Sequence, residues 1–189
     1  VREGPLLAVW AIVTLALTAG VLWRAEGRAV DDPVQKAARG EVTGLGALSL
    51  VREERLAAGL RKVRERWPDG RIVGLRVEPT RADLGVRTPD FVVHQVRIDA
   101  GLGLDESSTS EGVEEGLAEV PAGAPERILR VVNRRTGTAP EDLDYVNLTG
   151  GAENPGWFLK LERGTRPDRR DYVARLDGSG VRGIWEPAR

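Results

Sequence analysis

The sequence predicts an α+β fold in which an amino-terminal transmembrane helix precedes two modules, each a helix followed by an antiparallel sheet. Three observations lead there. The chain is uncharged from Leu6 to Trp23, and two amphipathic helical stretches are each followed by runs that alternate apolar and polar residues. No cysteine is present, so disulfide staples, thiolate metal sites and cysteine nucleophiles are excluded.

The 189 residues carry a formal charge of −1, which gives no overall field to attract nucleic acid, and no nucleic-acid partner is expected. After a short tail at residues 1–5, the run Leu6–Trp23 as a helix covers roughly 27 Å, close to the ~30 Å hydrocarbon layer of a bilayer. Its length exceeds a signal-peptide core, and its all-round apolarity does not fit a helix buried on one stripe. Trp23 beside Arg24 suits the far interface, so membrane lipid is the expected partner of this segment. Arg24, Arg28, Lys36 and Arg39 follow the run, which by the positive-inside rule favours a cytoplasmic domain. So short a head offers no functional surface on the other side, and long domains translocate largely regardless of charge. The expected place is therefore the plasma membrane, with the carboxy-terminal domain extracytoplasmic.

Residues 24–49 mix charge and glycine without period and read as a tether. The first module, residues 50–99, opens with Leu56, Leu60, Val63 and Trp67 at helical spacing, stopped by Pro68-Asp69-Gly70. Val73, Leu75 and Val77 then alternate as a strand. Thr80 to Pro89 reads as a loop, and Phe91 to Asp99 as a second strand with Val92, His94, Val96 and Ile98 on one face. Residues 100–124 are rich in Gly, Ser, Asp and Glu and read as an acidic flexible loop. The spacing around Asp105 and Glu106 lacks the alternation a calcium loop needs. The second module, residues 125–189, starts with Pro125 in a first helical turn and an apolar stripe at Ile128, Leu129 and Val132. Strands follow at Asp144 to Leu148, around Trp157, Leu159 and Leu161, and around Tyr172, Ala174 and Leu176. A turn at Asp177-Gly178-Ser179-Gly180 then precedes a last short strand.

Chemistry is sparse. The only imidazole, His94, lies mid-strand between Val92 and Val96, where a structural role is expected, and no serine stands in a nucleophile-elbow context. Glu141, Asp142 and Asp144 could act as paired carboxylates, but Thr138 and Glu141 have capping-box spacing around Pro140 and account for the acids locally. No metal-ligand spacing and no phosphate-binding glycine motif occurs. No catalytic residue, metal or cofactor is therefore expected. Arg163, Arg166, Arg169 and Arg170 gather at one hairpin tip and form the candidate partner-binding surface, able to meet an acidic partner, anionic headgroups or cell-wall phosphates.

The stretch Gly156-Trp157-Phe158-Leu159-Lys160-Leu161, followed by Asp171-Tyr172-Val173-Ala174-Arg175-Leu176-Asp177-Gly178-Ser179-Gly180-Val181, closes residues 124–186 in a way that resembles the PepSY module. Residues 50–99 match that module in element order and lack its closing turn. The resemblance implies a non-catalytic binding or inhibitory domain at the membrane surface, with a peptidase or another envelope protein as partner. The expected function is a single-pass, non-enzymatic binding or regulatory protein of the bacterial cell envelope that engages another envelope protein or a peptide. One alternative takes the same element order as a single ferredoxin-like domain in a structural subunit of a pilus-assembly or secretion platform. A membrane-tethered hydrolase using His94 or Asp142 is the last reading.

Overall fold

A computed structural model describes residues 42–112, 115–162 and 170–186. The apolar run Leu6–Trp23 and most of the expected tether lie outside the described residues. Among those described, no helix is long and apolar enough to cross a membrane.

Helix α1, Glu53–Arg66, places Glu53 and Glu54 in its first turn and Arg64 and Arg66 in its last, which complements the helix dipole. Its buried stripe is Leu56, Gly59, Leu60 and Val63. Gly59 lets the helix press on the sheet, since a Cβ there would stand 3.0 Å from Ile98 Cγ2. Helix α2, Ala124–Thr136, has Pro125 in its first turn and ends at Gly137, whose φ of 70° supplies the left-handed cap that donates to the Asn133 carbonyl. It buries Ile128, Leu129 and Val132.

The strands are β1 Arg71–Val77, β2 Arg81–Arg87, β3 Val92–Asp99, β4 Leu104–Glu111, β5 Leu143–Thr149, β6 Gly156–Leu161, β7 Asp171–Arg175 and β8 Arg182–Gly183. They form one sheet in the order β4-β3-β2-β1-β5-β6-β7-β8. Two meanders, β1 to β4 and β5 to β8, are thus welded back to back where β1 and β5 pair antiparallel through Arg76 with Asn147 and Val77 with Val146. Each of these central strands carries a bulge near its start, between Ile72 and Gly74 in β1 and between Leu143 and Tyr145 in β5.

This corrects the expected architecture. The halves are neither two separate helix-plus-sheet modules nor one ferredoxin-like domain, because the β1–β5 pairing makes the sheet continuous and both helices feed one core. Leu56, Leu60 and Ile98 from the first half and Ile128, Trp157 and Tyr172 from the second belong to the same buried cluster. A row of facing residues, Leu104, Ile98, Ala82, Val77, Val146, Leu159, Tyr172 and Gly183, runs under the helices from one edge of the sheet to the other.

Two expected loops are strands. In β2, Ala82, Leu84 and Val86 are buried, an alternation hidden in the sequence by Asp83 and Gly85 between them and by flanking arginines and prolines. Part of the expected acidic loop is β4, which is exposed along nearly all its length and is held by backbone bonds to β3 from Val92 opposite Glu111 to Ile98 opposite Leu104. An edge strand needs no apolar stripe to pair, and its charges discourage further strand addition. The tether also ends earlier than expected. Val42, Ser49 and Leu50 are buried, Ser49 Oγ donates to the Gly44 carbonyl at 3.0 Å, and the Leu50 amide donates to the Pro79 carbonyl at 2.9 Å. The expected capping box is instead a 3-10 turn, Pro140–Asp142, without a side-chain cap.

Candidate functional site

Residues opposite each other in an antiparallel pair share a face, so the sheet surface away from the helices can be read directly from the register. One row crosses all eight strands: Asp105, Arg97, Asp83, Arg76, Asn147, Phe158, Val173 and Arg182. No described element covers it.

On the first meander this face is a ladder of opposite charges that satisfy one another. Arg97 Nε lies 2.7 Å from Asp83 Oδ1, and Arg81 Nε lies 3.3 Å from Asp83 Oδ2 and 3.0 Å from Glu78 Oε2. The hydrogen bond to Asp83, then its charge, raises the Arg97 pKa further. Such exposed pairs keep a sheet face wet and add little stability.

On the second meander the same face turns aromatic. Tyr145 and Phe158 are half-buried with ring centroids 6.1 Å apart. The Arg76 guanidinium carbon lies 3.8 Å from the Tyr145 centroid, and Lys160 Nζ lies 5.9 Å from it, so the ring sits between two cations. Arg76 also donates to Glu78 Oε1 at 2.9 Å, which ties the aromatic patch to the edge of the charge ladder.

Beyond Phe158 and Val173 the surface falls into an open concavity of about 1060 Å3 at the β5–β6 and β7–β8 turns. Three guanidinium side chains line it, those of Arg135, Arg175 and Arg182, together with Trp157, Thr149 and Glu186. Arg135 is braced by its bond to the Val181 carbonyl at 2.7 Å. Trp157 is almost wholly buried and donates its indole N–H to the Leu176 carbonyl at 2.7 Å, which fixes β6 against the strand end after β7. Asp177 is held below the ordinary carboxylate range, chiefly by hydrogen bonds from Ser179, and this stiffens the turn at the rim.

Of the arginines singled out in the sequence, Arg163, Arg166 and Arg169 lie outside the described residues. Arg170 stands just ahead of β7, where its carbonyl accepts the Leu161 amide at 2.9 Å, at the opposite end of that strand from Arg175, and does not line the concavity. His94 is on the helix side of the sheet. Its Nδ1 is 2.7 Å from Glu106 Oε1 and its ring centroid is 5.2 Å from that of Trp67. Glu106 also meets Arg66 at 3.1 Å, and its pKa is lowered first by the His94 hydrogen bond and then by the charges of His94 and Arg66. This cluster clamps the end of α1 to edge strand β4. Glu141 and Asp142 sit in the 3-10 turn and Asp144 follows at the start of β5, where the Asp142 carbonyl accepts the Glu162 amide at 2.6 Å. His94 and these carboxylates occupy different ends of the molecule and do not converge.

Sequence reasoning passed over Tyr145 and Phe158. Their signal was available: in strands whose alternate residues are Val146, Trp157 and Leu159, an aromatic on the intervening positions must face away from the core.

No family model matches the chain, and no curated protein matches it. Among solved structures, the chain is similar to a crystal structure of a candidate lipoprotein from Clostridium difficile 630, with a TM-score of 0.48 and 12% identity over 65% of this chain and 86% of that one. At that distance no residue or activity carries over.

Proposed function

We propose that this protein is a non-enzymatic binding module of the bacterial cell envelope, which takes an extended acidic segment of another envelope protein on the helix-free face of its second meander. One observation carries the reading. Tyr145 and Phe158, flanked by Arg76 and Lys160, lie on an uncovered sheet face that continues through Val173 into a concavity lined by Arg135, Arg175 and Arg182. Aromatic rings on a solvent face combine contact area with low rotamer cost, and guanidinium groups around them favour carboxylates. Glu186 is the carboxylate lining the concavity, so its balance is cationic.

Attachment to the membrane through the apolar run at residues 6–23, with the domain on the extracytoplasmic side, is part of the same reading and rests on the sequence. The resemblance of residues 124–186 to the PepSY module points the same way, toward binding without covalent chemistry.

The test is photocross-linking in cells with a photoreactive amino acid at Phe158 and, as the internal reference, at Gln95 on the same face of the first meander. The expected outcome is a discrete adduct with an envelope protein from position 158, absent from position 95 and lost when Arg175 and Arg182 are changed to glutamate. Equal adduct patterns from both positions, or none from 158, overturn the assignment.

A further inference from the structure

The last two strands end in a turn whose chemistry is out of place in water. The Glu186 amide donates to the Gly183 carbonyl at 3.0 Å, so Ile184 and Trp185 are the two central residues of that turn. Such positions normally carry Gly, Asn, Asp or Pro. Here they carry a β-branched aliphatic residue and an indole, 53% and 41% exposed, two of the three exposed large hydrophobic side chains among the described residues.

The display is built rather than incidental. The indole stands edge-on to buried Tyr172, with centroids 5.2 Å apart and planes at 78°, and it lies across Gly183, where any Cβ would collide with the ring. Gly183 is thus the residue type that lets Trp185 lie where it does. Arg182, exposed, closes the turn through a 3.5 Å contact with the Glu186 carbonyl.

The position of this turn points to what covers it. Near the first described residues, where Val42 is already buried, Gly44 lies so close to the Pro140 carbonyl, just ahead of β5, that a Cβ would collide with it. Leu143 at the start of β5 faces Leu161 at the end of β6, Lys160 faces Asp171 at the start of β7, and the Ile184 amide donates to the Asp171 carbonyl. Gly44 and the Ile184-Trp185 turn therefore share one end of the sheet, about three strand spacings or ~15 Å apart. In the sequence ahead of Val42 stands the apolar run Leu6–Trp23.

We propose that the Ile184-Trp185 turn rests in the phospholipid headgroup layer and gives the domain a second contact with the membrane. An indole is suited to that layer, with its ring against acyl chains and its N–H in the wet region. The inference rests on membrane attachment through residues 6–23, as proposed above. The concavity touches the foot of this turn at Arg182 and Glu186, while the rest of its lining, at Thr149 to Gly156, Arg175 and Gly180, lies toward the other end of the strands.

The absence of cysteine makes the test direct. The full chain carrying Trp185→Cys, or Ile184→Cys as the second variant, is labelled with an environment-sensitive fluorophore. It is then reconstituted into phosphatidylcholine–phosphatidylglycerol vesicles with and without headgroup-level quencher lipids. Ser110→Cys is the reference, since Ser110 belongs to the row of Arg71, Arg87 and Val93 at the opposite end of the sheet. Blue-shifted emission and quenching at 184 or 185, with neither at 110, is the expected result. A label at both 184 and 185 that is as wet and unquenched as at 110, on chain that floats with the vesicles, overturns the docking while leaving attachment intact. Shielding without quenching assigns the turn to a protein contact and also overturns it. Chain that fails to float with the vesicles overturns attachment and docking together.

Discussion

On the first meander the helix-free face pairs Arg97 with Asp83 at 2.7 Å and Arg81 with both Asp83 and Glu78, whereas on the second the same surface presents Tyr145 and Phe158 between Arg76 and Lys160. The backbone pattern is the same on both sides, a helix followed by a four-stranded meander, and both helices close the same core. What differs is whether charges on the open face have partners within the face. A ladder that neutralises itself has nothing to gain from a further partner. Arg76 already meets Glu78 at 2.9 Å, whereas Lys160 beside the Tyr145 ring and the Arg135, Arg175 and Arg182 side chains around a concavity whose lining holds one carboxylate, Glu186, leave a cationic balance toward further carboxylates. The covered face thus carries the fold in both halves, while the open face of the second half alone presents the aromatic surface on which the proposed recognition rests.

The comparison can be broken at its seam. Val146 is fully buried and pairs with Val77 where the two meanders join, so Val146→Asp should cost about 4 kcal/mol or more by burying a charge. Chemical denaturation should show both halves lost in one transition. Two separate transitions in the wild-type chain would contradict a shared core. Next in size, Trp157→Phe leaves the Leu176 carbonyl without its donor and should lower stability by about 1.5 kcal/mol, read as a shifted denaturation midpoint.

Substitutions on the open faces separate stability from binding. Tyr145→Ala removes the ring contact with Phe158 and the seat for Arg76 and should cost about 1 kcal/mol, while abolishing the cross-link from position 158. Arg97→Ala on the first meander should leave both the unfolding midpoint and the cross-link where they are.

The smallest effect concerns pH. Because the folded-state pKa of Glu106 lies below its unfolded value, its contribution is present above the ordinary carboxylate range and is lost as pH falls through the lowered value. Amide protection in β4, taken relative to the intrinsic exchange rate at each pH, should therefore fall between about pH 5 and pH 3, more in the wild type than in Glu106→Gln.

Much of the covered face was legible in the sequence because burial imposes a period. Leu56, Leu60 and Val63 fix α1, and the alternations at Leu75 and Val77 and at Trp157, Leu159 and Leu161 fix β1 and β6. Where the period weakens, the reading fails. In β2, Arg81, Asp83, Gly85 and Arg87 mask the buried Ala82, Leu84 and Val86, and in β4 backbone pairing alone makes the strand. The β1–β5 junction was illegible for another reason: alternation tells which residues face the core and is silent on which strand lies alongside. The candidate site was half legible. Arginine clustering drew attention to residues 163–170, while Tyr145 and Phe158, the aromatics on the open face, were absorbed into strands that already looked complete.

The order of strands has a consequence for how the protein is made. In each half the strand that follows the helix becomes the centre of the sheet, so β1, whose start takes a single bridge between Ile72 and Leu117, keeps its flank at Arg76 and Val77 bare until β5, beginning at Leu143, has been delivered. A chain delivered amino-terminus first, as it leaves the ribosome, exposes that flank, with its unpaired amides and carbonyls, for as long as residues 78–142 take to emerge. Factors that shield nascent β-edges thus have a defined window in which to act, and it closes only when the carboxy-terminal meander arrives.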